Sequence, residues 1–184
     1  LGLLPEQVKR LKRGPVEAAG AGRALRPGEI AIRANFASLE FRNESLHVVD
    51  RRAGSISEGT SELASGLQDV DLGDGVSATL IPTDQHRGVL VVTGESINHC
   101  IGDTDPGDVA LPAKLLDCAN KTADASFTAD KINQFISLAH RRLQDHPVNL
   151  DRLQRGLLPA NGIITRGAGA WFSVDNLFLQ KGMK

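Results

Sequence analysis

Hydrophobic and polar positions alternate most clearly between residues 30 and 56, and this pattern predicts a β-hairpin. Apolar side chains occupy every second position from residue 30 to residue 34, which is typical of a strand with one buried face. A polar turn follows at 42–45, and the return strand contains Leu46, Val48 and Val49. Because the hairpin also carries the densest group of polar side chains, we expect the domain to be organised around it.

Elsewhere the pattern predicts helices and strands in alternation. A continuous apolar run at 88–94 indicates a central strand that is buried on both faces. Apolar residues at helical spacing predict helices at 4–13, 58–70 and 126–145. Pro15 and Pro112 suit the first turns of helices predicted at 16–25 and 112–122, and a short helix is predicted at 150–155. Further strands are predicted at 76–80 and 162–166, with turns at 26–28, 83–87 and 167–169 and an irregular segment at 94–111.

These elements predict one α/β domain, residues 1–184, in which helices pack on a mixed β-sheet of about four to six strands. A net charge of −1 gives no polybasic surface for nucleic acid. No apolar run reaches the length of a membrane span, and the first residues do not match a signal peptide. We expect a cytoplasmic protein in which Cys100 and Cys118 are reduced, because their spacing fits neither a metal site nor a redox motif.

The polar residues of the hairpin predict a site for a small anion. Arg33 and Asn35 are two residues apart, so they lie on the same face of a strand. Asp50, Arg51 and Arg52 come at the end of the partner strand. Guanidinium groups bind carboxylates and phosphates through paired hydrogen bonds. The alternative is that these residues form only a solvated face of the strand.

Three further polar groups could take part in chemistry, and each also has a structural explanation. His86 and Arg87 precede the central strand, where a ligand could bind or where the histidine could be structural. Asp103 and Asp105 suit metal binding or acid–base chemistry, but such turns also form for local hydrogen bonding. The last group follows the longest helix and contains His146, Asn149, Asn161 and Arg166; His146 could simply suit the end of that helix.

The sequence has no phosphate-binding loop, no dinucleotide fingerprint and no nucleophile elbow. It also has no group of His and Asp residues at metal-ligand spacing. The chain therefore offers many groups that could hold an anion, but no evident nucleophile and no metal site. This combination predicts half of an active site.

Seven segments of the chain resemble the archaeal-type, cofactor-independent phosphoglycerate mutases, which are metal-dependent members of the alkaline phosphatase superfamily. The segments are RGPVEA at 13–18, IAIRANFAS at 30–38, VVDRRAG at 48–54, HRGVLVVTG at 86–94, DTDP at 103–106, HPVNLDR at 146–152 and PANGIITRGAG at 159–169. In that family the corresponding region is inserted into a phosphatase-like catalytic domain and closes over the substrate. The resemblance implies that this chain is a substrate-binding lid domain from a longer enzyme, with Leu1 and Lys184 close together.

The resemblance also implies an isomerase of glycolysis that interconverts 2-phosphoglycerate and 3-phosphoglycerate through a phosphoserine. The serine and its divalent metal ions (Mn, Mg, Zn or Co) lie in the catalytic domain, so we expect this chain alone to be inactive and to bind no metal. Its partners are a small phosphorylated carboxylate and its own catalytic domain, without nucleic acid or membrane. The expected substrate-binding residues are Arg13, Arg33, Asn35, Asp50, Arg51, Arg52, His86 and Arg87, and the acid–base candidates are Asp50, Asp103, Asp105 and His86.

Two positions depart from the family pattern. Gly107 follows DTDP where the family usually has His, and Ser55 follows DRRAG where the family usually has Arg. The missing imidazole and guanidinium leave two alternatives open. One is a related phosphoryl transfer to another substrate, such as a proposed homoserine kinase reaction, and the other is a ligand-binding module without catalysis.

Overall fold

A sheet of seven strands forms the framework of the computed structural model, which describes residues 12–170. The strands are β1 (Glu29–Arg42), β2 (Ser45–Asp50), β3 (Val70–Asp71), β4 (Ser77–Pro82), β5 (Arg87–Thr93), β6 (Ala113–Lys114) and β7 (Gly162–Ala170). Their order is β3-β4-β5-β1-β2-β6, and β7 also pairs with β1. The helices are α1 (Arg13–Gly20), α2 (Thr60–Ser65), α3 (Ser126–Leu143) and α4 (Pro147–Gln154), with a 3₁₀ turn at Ala123–Ala125 before α3.

Strand β1 is the organising element, because it pairs with three neighbours. Its first half lies between β5 and β7, and its last five residues pair with β2 across the predicted turn. Ile32 and Phe36 point from one face of β1 into the main core, where they join Ile132 and Phe135 of α3. Each such large side chain contributes roughly 1.5–3 kcal/mol when it is fully buried.

The opposite face of β1 is covered by α1 at one end only. Ala31, Ala18 of α1 and Val89 of β5 form a small apolar cluster there. The helix can lie this close because Gly14 has no side chain: a Cβ at that position would be 2.0 Å from the carbonyl oxygen of Ala31. Beyond α1, the same face of β1 carries Arg33 and Asn35.

Several sequence predictions are confirmed. The hairpin forms as β1 and β2, with Asn43 and Glu44 at the turn in left-handed conformations. The apolar run at 88–94 corresponds to β5, which is buried between β4 and β1. The long helix predicted at 126–145 is α3, and the α/β class is confirmed as well.

Other predictions are corrected by long-range pairing. The sheet has seven strands instead of four to six, and within residues 12–170 every strand pairing is antiparallel, so the sheet is not mixed. The helix predicted at 112–122 is wrong, because β6 pairs there with His47 and Val48 of β2. The turn predicted at 167–169 is also wrong. Strand β7 continues through it, and Gly167 takes a positive φ of 67° near the register shift against β1.

The predicted helix boundaries need smaller corrections. The helix expected at 58–70 is limited to α2, the one expected at 16–25 begins and ends earlier as α1, and the one expected at 150–155 begins earlier as α4. The helix predicted at 4–13 lies almost entirely outside the described residues, as does the expected proximity of Leu1 to Lys184.

Candidate functional site

Three arginines and one amide share a face of the sheet, and we call Arg33, Asn35, Arg87 and Arg166 the arginine face. Arg33 on β1 lies directly opposite Arg166 on β7, and Asn35 lies directly opposite Arg87 on β5. Residues opposite one another in antiparallel strands project to the same side and approach closely. The pairing therefore brings guanidinium groups from three strands together on the face that α1 leaves uncovered.

Unsatisfied hydrogen-bonding atoms are concentrated on and beside this face. Among the described residues, the buried side-chain atoms without a hydrogen-bond partner are Arg33 Nε, Asn35 Oδ1, Arg166 Nε and His86 Nδ1. Leaving a buried donor or acceptor unpaired costs about 1–3 kcal/mol. Such groups are rare in folded proteins, and a cluster of them indicates a site that binds something polar.

Positive charge exceeds negative charge around Arg33. Burial lowers the pKa of Arg33, and the neighbouring guanidiniums of Arg166, Arg87 and Arg13 lower it further. Glu17 of α1 raises it, and its Oε1 lies 3.4 Å from Arg33 Nε. Four guanidiniums thus lie near one another, with three carboxylates beside them: Glu17 next to Arg33, Asp84 at 3.8 Å from Arg87 and Asp105 at 3.9 Å from Arg166. The local excess of positive charge favours the binding of an anion.

Arg13 approaches this region from α1. With Lys12, Val16, Glu17 and Arg33 it lines a small pocket of about 180 Å³ between α1 and β1. The pocket is next to the arginine face, so Arg13 could reach the outer side of a bound anion.

His86 lies in the turn before β5 and is buried, with 6% of its surface exposed. Its backbone carbonyl accepts a hydrogen bond of 2.8 Å from the amide of Phe36, which fixes the turn against β1. Burial lowers the pKa of His86, and the guanidiniums of Arg87, Arg52 and Arg33 lower it further, whereas Asp50 raises it. A neutral imidazole surrounded by guanidiniums is suited to a hydroxyl beside an anionic group.

In the turn after β2, different contacts are made by Asp50, Arg51 and Arg52. Asp50 Oδ1 accepts hydrogen bonds from the backbone N–H groups of Arg52, at 2.7 Å, and Gly54, at 3.1 Å. The exposed Arg52 is close enough to His86 to lower its pKa. Arg51 instead binds both carboxylate oxygens of Asp105, at 2.8 and 2.7 Å, and these hydrogen bonds raise the pKa of Arg51.

Arg51 lies at the edge of the arginine face: its backbone carbonyl accepts a hydrogen bond of 3.5 Å from Asn35 Nδ2, and the Asp105 Oδ2 that it binds is 3.9 Å from Arg166 Nη1. Its third hydrogen bond, of 2.8 Å, reaches Asp108 Oδ1. Asp105 is buried, and it also accepts a hydrogen bond of 3.0 Å from the amide of Gly107. The two acidic groups thus hold the loop at 103–108 against the end of β2.

Asp103 and the neighbouring threonine attach the same loop to β7. Asp103 Oδ1 accepts a hydrogen bond of 2.9 Å from the amide of Gly167. The hydroxyl of the fully buried Thr104 accepts one of 2.8 Å from the amide of Thr165. In this arrangement Asp103 and Asp105 anchor a loop. Of the acid–base candidates, His86 and Asp105 lie beside the arginine face, and Asp105 is held there by Arg51.

Comparison with known proteins identifies the family. The profile of the 2,3-bisphosphoglycerate-independent phosphoglycerate mutases matches residues 8–149. The chain belongs to this family. A phosphoglycerate mutase of this type from Methanopyrus kandleri is 42% identical over 174 residues, which are 93% of this chain and 41% of the relative. One from Archaeoglobus fulgidus is also 42% identical, over 94% of this chain and 42% of the relative.

A solved structure supports the same relationship. The cofactor-independent phosphoglycerate mutase from Thermoplasma acidophilum superposes with a TM-score of 0.80 and is 35% identical, covering all of this chain and 47% of that one. The chain spans about two-fifths of the length of the curated mutases. This agrees with the partial match expected from the sequence.

Arg166 belongs to the arginine face, but it is missing from the substrate-binding residues that the sequence predicted for this chain. Arg166 occurs in the PANGIITRGAG segment, but nothing in the local pattern of β7 shows which strand it will pair with. Once β7 is placed beside β1, Arg166 lies opposite Arg33, and its Nη1 is 3.9 Å from Asp105 Oδ2. The sequence signals for Arg166 were its place in the polar group that follows the longest helix and its position in a strand rich in apolar residues.

The two departures from the family pattern lie in irregular segments, where Gly107 is half-buried and Ser55 is exposed. Gly107 has a positive φ of 80°, and a Cβ there would meet no atom within 4 Å. Ser55 also has a positive φ, of 57°.

The divalent metal implied by the resemblance has no matching ligands in residues 12–170. No group of three or more His, Cys, Asp or Glu side chains there is arranged to hold a metal ion. Within the same range, no helix combines the length and hydropathy needed to cross a membrane.

Proposed function

We propose that this chain is the substrate-binding domain of a metal-dependent phosphoglycerate mutase, in which the arginine face holds phosphoglycerate. Membership of the mutase family supports the reaction class. The observation that carries the assignment is the group of four buried atoms that have no hydrogen-bond partner among the described residues, although Arg33 Nε lies 3.4 Å from Glu17 Oε1. Arg33 Nε and Arg166 Nε are donors, and Asn35 Oδ1 is an acceptor, as His86 Nδ1 is in one tautomer of its neutral ring.

Phosphoglycerate and glycerate complement this arrangement. Each carries a carboxylate, which accepts hydrogen bonds from guanidiniums, and hydroxyl groups, which donate to an amide oxygen or an imidazole nitrogen. Arg33 and Arg166 bind the anionic group between them, and its charge offsets their mutual repulsion. Asn35 and His86 orient the hydroxyls. Arg87, Arg52 and Arg13 surround the ligand and keep glycerate bound between the two phosphoryl transfers.

The nucleophilic serine and the metal ions belong, on this proposal, to the part of the mutases that the chain does not match. The interconversion of 2-phosphoglycerate and 3-phosphoglycerate therefore takes place between two domains. The first helix and the last strand of the described residues are neighbours, since Gly169 of β7 packs against Lys12 and Pro15. Such an arrangement suits a domain inserted into a catalytic domain, because the chain must leave and re-enter its host at neighbouring points.

The test is the substitution Arg33→Gln in the full-length enzyme. We expect kcat/KM for 3-phosphoglycerate to fall about tenfold or more, since a lost charge-assisted hydrogen bond costs roughly 1.5–3 kcal/mol. Arg33→Lys should restore only part of the activity, because lysine lacks the planar fork.

The matched control is Arg42→Gln, which makes the same change at the exposed end of the same strand. Its kcat/KM should equal that of the wild type. An unchanged kcat/KM in Arg33→Gln would contradict the proposed function.

A further inference from the structure

Arg152 of α4 is a buried arginine whose hydrogen bonds go to backbone carbonyls. Only 8% of its surface is exposed. Its Nε donates a hydrogen bond of 2.9 Å to the carbonyl of Leu158, and its Nη2 donates one of 2.8 Å to the carbonyl of Ala53. Within residues 12–170, no carboxylate lies within 4.0 Å of its guanidinium. Burying a cation without a counter-charge is costly, so these two contacts need a reason.

The contact of Arg152 with Ala53 holds a strained turn. Ala53, Gly54 and Ser55 follow one another with positive φ angles of 50°, 62° and 57°. The left-handed region is unfavourable for residues with a side chain, so two of the three positions are strained. Asp50 holds this turn through the amides of Arg52 and Gly54, and Arg152 holds it through the carbonyl of Ala53. Side chains thus hold both backbone N–H groups and a backbone carbonyl of this turn.

The contact of Arg152 with Leu158 connects the turn to β1. Leu158 precedes Pro159, whose carbonyl accepts a hydrogen bond of 2.6 Å from the hydroxyl of Ser38. Asn161 then binds both backbone groups of Leu39, with distances of 2.7 and 3.0 Å. Ser38 and Leu39 belong to the strand that carries Arg33. Arg152 therefore joins the turn that presents Arg52 to the strand that presents Arg33.

We propose that Arg152 is a positioning residue of the anion site: by fixing the 53–55 turn, it sets where Arg52 lies relative to His86. It acts through Arg52 and does not touch the ligand. This inference rests on the proposed function, since Arg52 matters here only as a ligand of the bound anion. The HPVNLDR segment, which contains Arg152, thereby acquires a role in substrate binding.

The test is a double-mutant cycle in the full-length enzyme, with KM and kcat measured for 3-phosphoglycerate. Arg152→Met removes the donors but keeps most of the buried volume, and Arg52→Gln removes the guanidinium that it positions. We expect Arg152→Met to raise KM about threefold to tenfold with a smaller change in kcat, and to have no further effect when Arg52→Gln is already present. Arg155→Met is the matched control, because Arg155 is exposed on the same helix, and its KM should equal that of the wild type.

The possible outcomes separate the two hypotheses. An unchanged KM in Arg152→Met, or a rise of equal size with and without Arg52→Gln, would overturn the positioning role. An unchanged kcat/KM in Arg33→Gln would instead overturn the proposed function. If circular dichroism shows that Arg152→Met is unfolded, the same cycle is run with Arg152→Lys, and the same criteria apply. Lysine keeps the charge but donates from a single nitrogen, so it cannot reach the carbonyls of Ala53 and Leu158 with two separate nitrogens.

Discussion

At the scale of single residues, the molecule places like charges where folding alone would not place them. Arg33 and Arg166 are direct cross-strand partners, and like charges in this relation destabilise a sheet. Each has a buried Nε without a hydrogen-bond partner. Glu17, at 3.4 Å from Arg33, and Asp105, at 3.9 Å from Arg166, offset part of this cost. An anion bound between the two arginines would offset more of it, which is why we attribute the pair to binding.

His86 provides a prediction at this scale. Burial and three guanidiniums lower its pKa below the ordinary 6.5, so the unfolded chain takes up a proton at higher pH than the folded chain does. Its contribution to stability should be fully present above pH 6.5 and be lost as the pH falls through the folded-state pKa. Urea unfolding at a series of pH values and an NMR titration of the imidazole would measure both effects.

Two further titrations test the same prediction. Inorganic phosphate should move the midpoint of His86 upward, since a bound anion favours the protonated ring. Arg33→Gln should also move it upward, because one of the guanidiniums that lower the pKa is removed. A wild-type midpoint at or above 6.5 would show that the imidazole does not lie in this electropositive environment.

At the scale of elements, the contact between α1 and β1 decides how one side of the site is built. Helix α1 carries Arg13 and Glu17, and Glu17 is the carboxylate next to Arg33. Its close approach depends on Gly14, which faces the backbone of Ala31. The position of α1 is therefore set by a backbone-to-backbone fit that no side chain can adjust.

We predict that Gly14→Ala lowers the free energy of unfolding by about 1–3 kcal/mol, because the helix must move away from the strand. It should also weaken phosphate binding, since Arg13 and Glu17 move with the helix. Gly20→Ala is the matched control on the same helix: a Cβ there would meet no atom within 4 Å. The control should be neutral or stabilising by up to about 1 kcal/mol, as alanine favours a helix over glycine. Equal effects of the two substitutions in urea unfolding would contradict this view of the interface.

At the scale of the whole molecule, the described part provides a binding face without the groups that break or form a phosphate ester. The arginine face is open on the side that α1 does not cover. An anion bound there would remain partly solvated, which screens its interaction with the guanidiniums. A second domain that closes over the face would strengthen every one of these contacts.

We therefore predict that the 184-residue chain binds 3-phosphoglycerate only weakly and has neither mutase nor phosphatase activity when Mn²⁺ or Mg²⁺ is added. Turnover assays and metal titration by calorimetry measure this directly. The full-length enzyme, assayed in parallel, serves as the positive control. Tight stoichiometric metal binding together with turnover by the chain alone would contradict the proposal that this chain binds substrate while another domain carries out catalysis.

Local periodicity was sufficient for the elements that depend on neighbours in sequence. The hairpin of β1 and β2, the buried strand β5 and helix α3 were all predicted, because each has a strong pattern of its own. The segment at 112–122 was not, since its short strand exists only through pairing with β2. A helix was predicted there because Pro112 suits the first turn of a helix, and the alternative partner is distant in the chain.

For the candidate site, the sequence by itself determined the residue types and the shared face of Arg33 and Asn35, because the two-residue period of a strand is a local property. Only the tertiary structure decided that Arg166 faces Arg33, since the register between β7 and β1 joins distant segments. It also decided that adjacent Arg51 and Arg52 part, one to Asp105 and one towards His86. The two side chains point in different directions because Asp50 caps the turn that carries them. That turn is also held by Arg152, which is distant in the sequence.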